Sequence, residues 1–304
     1  MRYIFSLPGP LLVFLGAFSL SFGGLIVKSF EGANLWQILF WRSLFFIFVV
    51  IIFLIFTYKK NFLLSFKKSG LPGIFGGIIL SSGFCGYVFA MYNTTVANTN
   101  FIIQTQTIFL AIFGYFFLKE KISKITLASI ILAISGIILM VGSDLSSGQM
   151  TGNIAAFVMP ISFAILILII RKYPSIDMVP LQLYAGIIAM VIGYVIAGKI
   201  AISSYDIFLG FLAGFFQLGF GFILITIGAR NTPSATVGII MLVEAVLGPL
   251  WAWIVINEQP PLIVFVGGSI VLFAVFLQFI TTKKDQTQNK LCLLYTSDAA
   301  DDVA

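Results

Sequence analysis

Of 304 residues, 60% are hydrophobic and only 9% are charged, against about 25% charged in an ordinary soluble domain. With a mean hydropathy of +1.10, the chain lacks the polar surface of a water-soluble fold, and most of its exterior must meet lipid. The net charge of +6 points to orientation in a membrane rather than to nucleic acid, because the basic residues lie between apolar runs. Histidine is absent, which removes the commonest general base, metal ligand and pH switch together. Cys85 and Cys292 do not make a disulfide framework.

A spanning helix needs about 20 mostly apolar residues, and ten such runs follow one another. Residues 10–28, 35–56, 71–92, 96–118 and 124–142 make the first five. Residues 152–170, 179–197, 207–228, 234–256 and 262–281 make the second five. The first run is as long as the others and carries no small-residue cleavage site, so it reads as a span and not a signal peptide. The second holds Trp36, Trp41 and Arg42. The fourth is the most polar, with Asn98, Asn100, Gln104, Thr105, Gln106 and Thr107 in one half. At helical spacing Ala97, Asn100, Gln104, Thr107, Ala111 and Gly114 share a face that suits a cavity wall or a close helix contact. Gln104 and Gln106 are about 200° apart on such a wheel. They cannot both point squarely into one cavity, and Gln104 is the first choice. The sixth run contains Pro160 and the ninth Pro249, which free the carbonyls of Ala156 and Ala245 and are expected to bend their helices. Gly73/Gly77 and Gly210/Gly214 have the spacing of close helix packing. Residues 286–304 differ from everything before them, and Leu291 to Asp302 resembles translated adapter or vector sequence; this tail is read as non-native or disordered.

Basic residues choose the orientation. With the N-terminus in the cytoplasm, fourteen Lys and Arg residues fall inside, from Arg2 through the Lys59/Lys60/Lys67/Lys68 group to Lys290; only Lys28 and Lys199 fall outside. This places both termini in the cytoplasm of a multi-pass inner-membrane protein.

A shift of 138 positions lays the first half on the second from the third span onward: Gly76 on Gly214, Asn93-Thr94 on Asn231-Thr232, Ala97 on Ala235 and Glu120 on Glu258. Five spans per half is an odd number, so the second half enters the membrane inverted. Inverted repeats commonly hold a substrate site near the midplane, with access alternating around it. The fold expected is therefore all-α, integral to the membrane, with ten transmembrane helices as two inverted five-helix repeats at 10–143 and 151–281.

Several stretches resemble the drug/metabolite transporter superfamily, in particular its EamA-type members. They are Phe40-Trp41-Arg42, Tyr92-Asn93-Thr94-Thr95-Val96-Ala97, Phe117-Leu118-Lys119-Glu120-Lys121, and the run from Glu244 through Pro249 and Trp251 to Asn257-Glu258. The resemblance covers about residues 10–281 and departs slightly where Asn257 precedes Glu258. It implies a transporter with a central cavity lined by the first four helices of each repeat, and it leaves the substrate open.

Charges inside a membrane are costly and face protein or water. Two lie well within spans: Arg42, roughly 10–12 Å deep, and Glu244, roughly 15 Å deep, at 1.5 Å per residue. Arg42 suits a substrate carboxylate, which its planar fork can grip twice; the alternatives are a pair with Glu244 or a cap on nearby carbonyls. Glu244 suits an amine or a transported proton. Gln106 is its repeat partner. Arg42, Glu244, Gln104, Asn100, Trp41 and Gln106 are the candidate substrate-binding residues. No metal or cofactor site is expected. There is no phosphate-binding Gly-Lys-Ser/Thr loop and no aspartate cluster, so an integral-membrane enzyme is disfavoured, as is a channel. The function expected is secondary transport or facilitation of a small polar metabolite, with an amino acid or related zwitterion favoured. Export of neutral or cationic metabolites or drugs is the alternative. Partners are the solute, the bilayer and a coupling proton or cation. A reporter active only in the cytoplasm, fused after Thr281, is expected to be active; a periplasmic signal there overturns the ten-span count.

Overall fold

The computed structural model describes residues 7–93, 99, 102–141, 150–256, 262–263 and 265–277. Among them every regular element is helical. The first apolar run forms α1 (Gly9–Leu20) and α2 (Gly23–Lys28), separated by a turn at Ser21 and Phe22. Pro10 opens α1, where a missing N–H costs nothing. Helix α3 (Leu35–Tyr58) starts on a capping box: the Asn34 side chain accepts from the backbone of Trp36 and Gln37, and Gln37 Oε1 accepts from Asn34 N at 2.7 Å. Both ends of that first turn are thus satisfied.

A short 3₁₀ turn, Lys59–Asn61, leads into α4 (Phe62–Asn93). Gly70 breaks α4 with φ 53 and ψ −152, a conformation open to glycine, so residues 62–69 form a short helix of their own before the apolar stretch. The next helices are α5 (Gln106–Leu118), α6 (Lys124–Val141), α7 (Met150–Ala156), α8 (Val158–Lys172) and α9 (Pro180–Ala197). The interruption between α7 and α8 falls at Phe157, three residues before Pro160. Helix α10 (Ser204–Phe211), a π-helical stretch (Leu212–Phe220) and α11 (Gly221–Ala229) make one long apolar rod. Helices α12 (Ser234–Met241), α13 (Val243–Ile256) and α14 (Phe265–Leu277) close the described chain.

Six described helical stretches are long and apolar enough to cross a membrane, and Ile102–Leu118, Lys124–Gly136 and Phe265–Leu277 are shorter apolar helices. Leu35–Ala90 counts as one such stretch of 56 residues, more than twice what one crossing needs, and it is bent at 59–61 and at Gly70. Large side chains such as Phe48, Phe56, Phe116 and Val195 stand exposed on the exterior, as a lipid-facing surface requires.

Helices pack where glycines let backbones meet. Gly9 and Gly16 of α1 face Gly228 and Gly221 of α11: a Cβ on Gly9 would lie 2.6 Å from the Gly228 carbonyl oxygen, and one on Gly16 2.8 Å from that of Gly221. A Cβ on Gly77 would meet Tyr184 and Leu181 of α9, and one on Gly210 the Trp41 side chain. Gly73 instead abuts Ser69 on its own helix. The tightest contact that involves a backbone atom joins Gly214 to the carbonyl of Arg42, where a Cβ would come within 2.2 Å. At the centre the rings of Phe46, Phe84 and Phe222 meet edge to face at 5.4–6.4 Å, with Phe163 against Phe222 at 6.2 Å. Gly214→Ala is expected to cost about 1–3 kcal/mol by overpacking and to lower the thermal midpoint of the purified protein. Gly24, whose Cβ would meet nothing within 4 Å, is expected to accept Ala within about 0.5 kcal/mol.

Candidate functional site

Two helix breaks prepare the site. Thr105 donates its N–H to the Ile102 carbonyl at 3.1 Å, and Ile108 to that of Thr105 at 2.9 Å, so the backbone tightens to 3₁₀ spacing just before Gln106. Leu242 donates to Ile239 at 3.2 Å and Ala245 to Leu242 at 3.0 Å, which does the same around Glu244. The break in the ninth run thus lies at Leu242, on the far side of Glu244 from Pro249. Gln106 and Glu244 are 138 positions apart, and each lies within two residues after its break, at Thr105 and at Leu242.

Gln106 and Glu244 line a central cavity with about 490 Å³ of space between atoms, part of it open to the surroundings. Its wall contains further pairs with the same 138-residue offset, Phe84 with Phe222 and Ile103 with Met241. Equivalent positions of the two repeats thus meet at the cavity. Met159 and Phe163 complete much of the apolar wall.

Arg42 enters from α3 and is 4% exposed. Its guanidinium carbon lies 5.5 Å from the Tyr87 ring centre and 5.7 Å from that of Phe84, within the range of cation–π attraction. Nε of Arg42 has no hydrogen-bond partner among the described residues. Arg42 and Glu244 share the cavity but do not form an ion pair, and Tyr87 lies on the same wall. Gln106 is buried on the same wall, and its Nε2 also lacks a partner. Unpartnered buried donors are rare and costly, and two of them on residues that line one cavity with a carboxyl group are suited to a ligand that brings its own oxygens.

The other sequence candidates lie elsewhere. Gln104 is buried with an unpartnered Oε1, but it is not on the cavity wall. The order of preference between the two glutamines is thus reversed by placement, because the turn at Thr105 changes the wheel on which they were compared. Trp41 is turned away: its Nε1 donates to the Ile200 carbonyl at 2.8 Å, and its ring stacks near Phe45. Asn100 lies outside the described residues.

Two polar cavity residues, Gln217 and Tyr87, escaped the sequence reading. Gln217 sits in the π-helical stretch and donates to the Leu20 carbonyl at 3.3 Å. A lone amide within Leu212–Phe220 was the available signal. Tyr87 carried no signal that separated it from the other aromatic residues.

Polar groups also bind the helix ends. Trp251 Nε1 donates to Ser21 Oγ at 2.8 Å and its ring stacks on Phe22 at 4.8 Å, just beyond the cavity residue Leu20. At the opposite ends of the helices Glu120 pairs with Arg171 and accepts from Ser234 N at 2.8 Å, while Arg171 also donates to the Thr232 carbonyl. Glu120 thus organises that turn.

The sequence profile of the EamA-like transporter family matches residues 7–142 and again residues 147–280. The chain belongs to the EamA-like transporter family. The double match is the repeat seen in the 138-residue offset, and it carries the drug/metabolite transporter resemblance across both halves. An uncharacterized transporter of Clostridium kluyveri is 22% identical over 245 residues, which cover 76% of this chain and 79% of that protein. Human solute carrier family 35 member G1 is 28% identical over 285 residues, covering 88% of this chain and 77% of that one. A crystal structure 13% identical in sequence superposes with a TM-score of 0.72 over 91% of this chain and 98% of its own, and so shares the fold. This EamA-family protein is a membrane transporter and not an enzyme. Gln106→Ala is expected to raise the KM for transport by roughly ten-fold, the worth of one buried hydrogen bond to substrate. Gln104→Ala is expected to leave KM within about two-fold, since loss of an off-wall contact acts on stability instead.

Proposed function

We propose that the protein is a secondary transporter of a small zwitterionic metabolite of the amino-acid kind, working by alternating access through ten spans in two inverted repeats, 10–143 and 151–281. The observation that carries the substrate class is the pair of buried donors without a partner among the described residues, Arg42 Nε and Gln106 Nε2, on side chains that line one cavity with Glu244, which makes no ion pair with Arg42. A carboxylate placed between Arg42 and Gln106 receives charge-assisted bonds, the strongest kind available there. An amine on the same molecule reaches Glu244. The apolar remainder lies on Phe84, Phe163 and Phe222.

Paired helix breaks at the cavity and the family match to each half support alternating access, since broken helices at a repeat interface are where such carriers hold substrate. Basic residues clustered between alternate runs support an inner-membrane location with both termini in the cytoplasm. A proton or cation gradient, or counter-exchange of a second solute, supplies the energy. Export of a cationic or neutral compound is the second reading, favoured by Glu244 beside the aromatic wall.

The test uses purified protein in vesicles and three forms of one solute: a neutral amino acid, its amide and its keto acid. The amino acid is expected to exchange fastest. Arg42→Lys, which loses the bidentate fork, is expected to raise its KM at least roughly ten-fold and to erase the advantage over the amide. Glu244→Gln is expected to erase the advantage over the keto acid. Equal rates for the three solutes in the unmodified protein overturn the zwitterion reading, and preference for the amide favours the cationic one.

A further inference from the structure

Between α3 and the apolar part of α4 the chain makes an elbow that transport does not use. Tyr58 ends α3, Lys59–Asn61 turns, residues 62–69 form a short helix, and Gly70 breaks it. In that short helix Leu63 and Lys67, and Leu64 and Lys68, stand four residues apart and so share one face. All four are exposed, Leu63 by 78% and Leu64 by 43%. The other face is fixed to the protein: Ser65 and Ser69 are buried, and the Phe66 ring meets that of Tyr184 at 5.8 Å.

Lys59 and Lys60 stand exposed at the start of the elbow. The two lysine pairs are therefore roughly 10–12 Å apart at helical rise, with the leucines between them. None of the four lysines forms an ion pair with a described residue. The acidic neighbour of Tyr58, Asp177, has its carboxylate engaged by the Tyr58 hydroxyl and by Val179 N at 3.0 Å. Four uncompensated ammonium groups thus flank two exposed aliphatic side chains on a surface that joins two apolar helices.

We infer that this elbow is a binding site for acidic phospholipid, its lysines holding the phosphate headgroups while Leu63 and Leu64 enter the acyl layer. Basic side chains at a membrane surface attract anionic lipid, and their long stems let the charge reach headgroup level while the backbone stays with the apolar layer. Lys119, Lys121 and Lys124 are also exposed, near exposed Phe116, Phe117, Ile125 and Leu127, but Lys119 and Lys121 lie on the non-helical connection before α6 and Lys124 opens that helix, so they make no leucine–lysine pair four residues apart on a helix like those of the elbow. A soluble phosphate would use the lysines and leave the leucines without a role, so a lipid is the occupant that uses the whole face.

The test reconstitutes the full chain in vesicles of equal parts phosphatidylcholine and phosphatidylglycerol, then extracts it gently and counts retained phosphatidylglycerol by native mass spectrometry. The unmodified protein is expected to retain it, and to lose it in molar salt, where the screening length falls to about 3 Å. The K60Q/K67Q/K68Q protein is expected to retain at least about ten-fold less. The matched K119Q/K121Q/K124Q protein and the K60R/K67R/K68R protein are expected to retain the normal amount. Leu63→Ala with Leu64→Ala is expected to reduce retention while leaving all the charges. Equal retention by both glutamine triples, insensitivity of the unmodified protein to salt, or displacement by inorganic phosphate with no effect of the leucine substitutions each overturns the inference.

Discussion

In hydrocarbon the helices gain nothing by hiding apolar surface from one another, so they associate where their backbones can approach closely. This fold depends on that constraint. Gly9 and Gly16 lie against Gly228 and Gly221, joining the first helix to the second half of the chain. Gly186 and Gly193 of α9 press on Phe46, Ile47 and Phe40 of α3. Gly214 touches the backbone of Arg42 itself. Each contact joins one repeat to the other. The halves interlock, and the position of the buried arginine is set by a glycine 172 residues away.

Around that interlock the sequence repeat supplies equivalent residues to the cavity wall and departs from equivalence at its polar positions. Phe84 and Phe222 are equivalent and identical, and their rings meet at 5.4 Å. Ile103 and Met241 are equivalent and both apolar. Gln106 and Glu244 are equivalent in position but differ in charge, and Arg42 enters from α3 without a carboxylate beside it. Two aromatic rings cradle the guanidinium. Rings attract a cation without occupying its hydrogen-bond donors, so Nε is held in place and still unsatisfied. A carboxylate partner would have fixed the arginine equally well and used up its donors.

Several charged groups at the helix ends show the opposite arrangement. Asp206 accepts from the backbone of Glu31 and Gly32, Glu120 pairs with Arg171, and Arg230 donates to the Pro174 carbonyl. These groups have found partners within the protein and hold turns at the helix ends. Arg42 Nε and Gln106 Nε2 are buried donors without a partner among the described residues, on side chains that line the cavity. Ser43, Gln104, Ser129 and Gln182 also keep a buried polar atom unpartnered but do not line it, so the free donor singles out Arg42 and Gln106 only together with their place on the cavity wall.

The sequence by itself determined the membrane class, the order of apolar runs, the repeat and its offset, and the presence of two charges, Arg42 and Glu244, within apolar runs. Each is a property of composition or of spacing along the chain, and lipid tolerates so few alternatives that spacing suffices. It also marked Gly210 and Gly214 as packing residues, without showing against what. Only the tertiary structure decided that Arg42 and Glu244 share a cavity without pairing, that Gln106 lines it and Gln104 does not, and that Trp41 is tied to Ile200. A helical wheel assumes an unbroken helix, and the turn at Thr105 re-aims every residue after it. Tyr87 and Gln217 became legible for the same reason: their roles come from neighbours on other helices, and spacing within one helix carries no information about those neighbours.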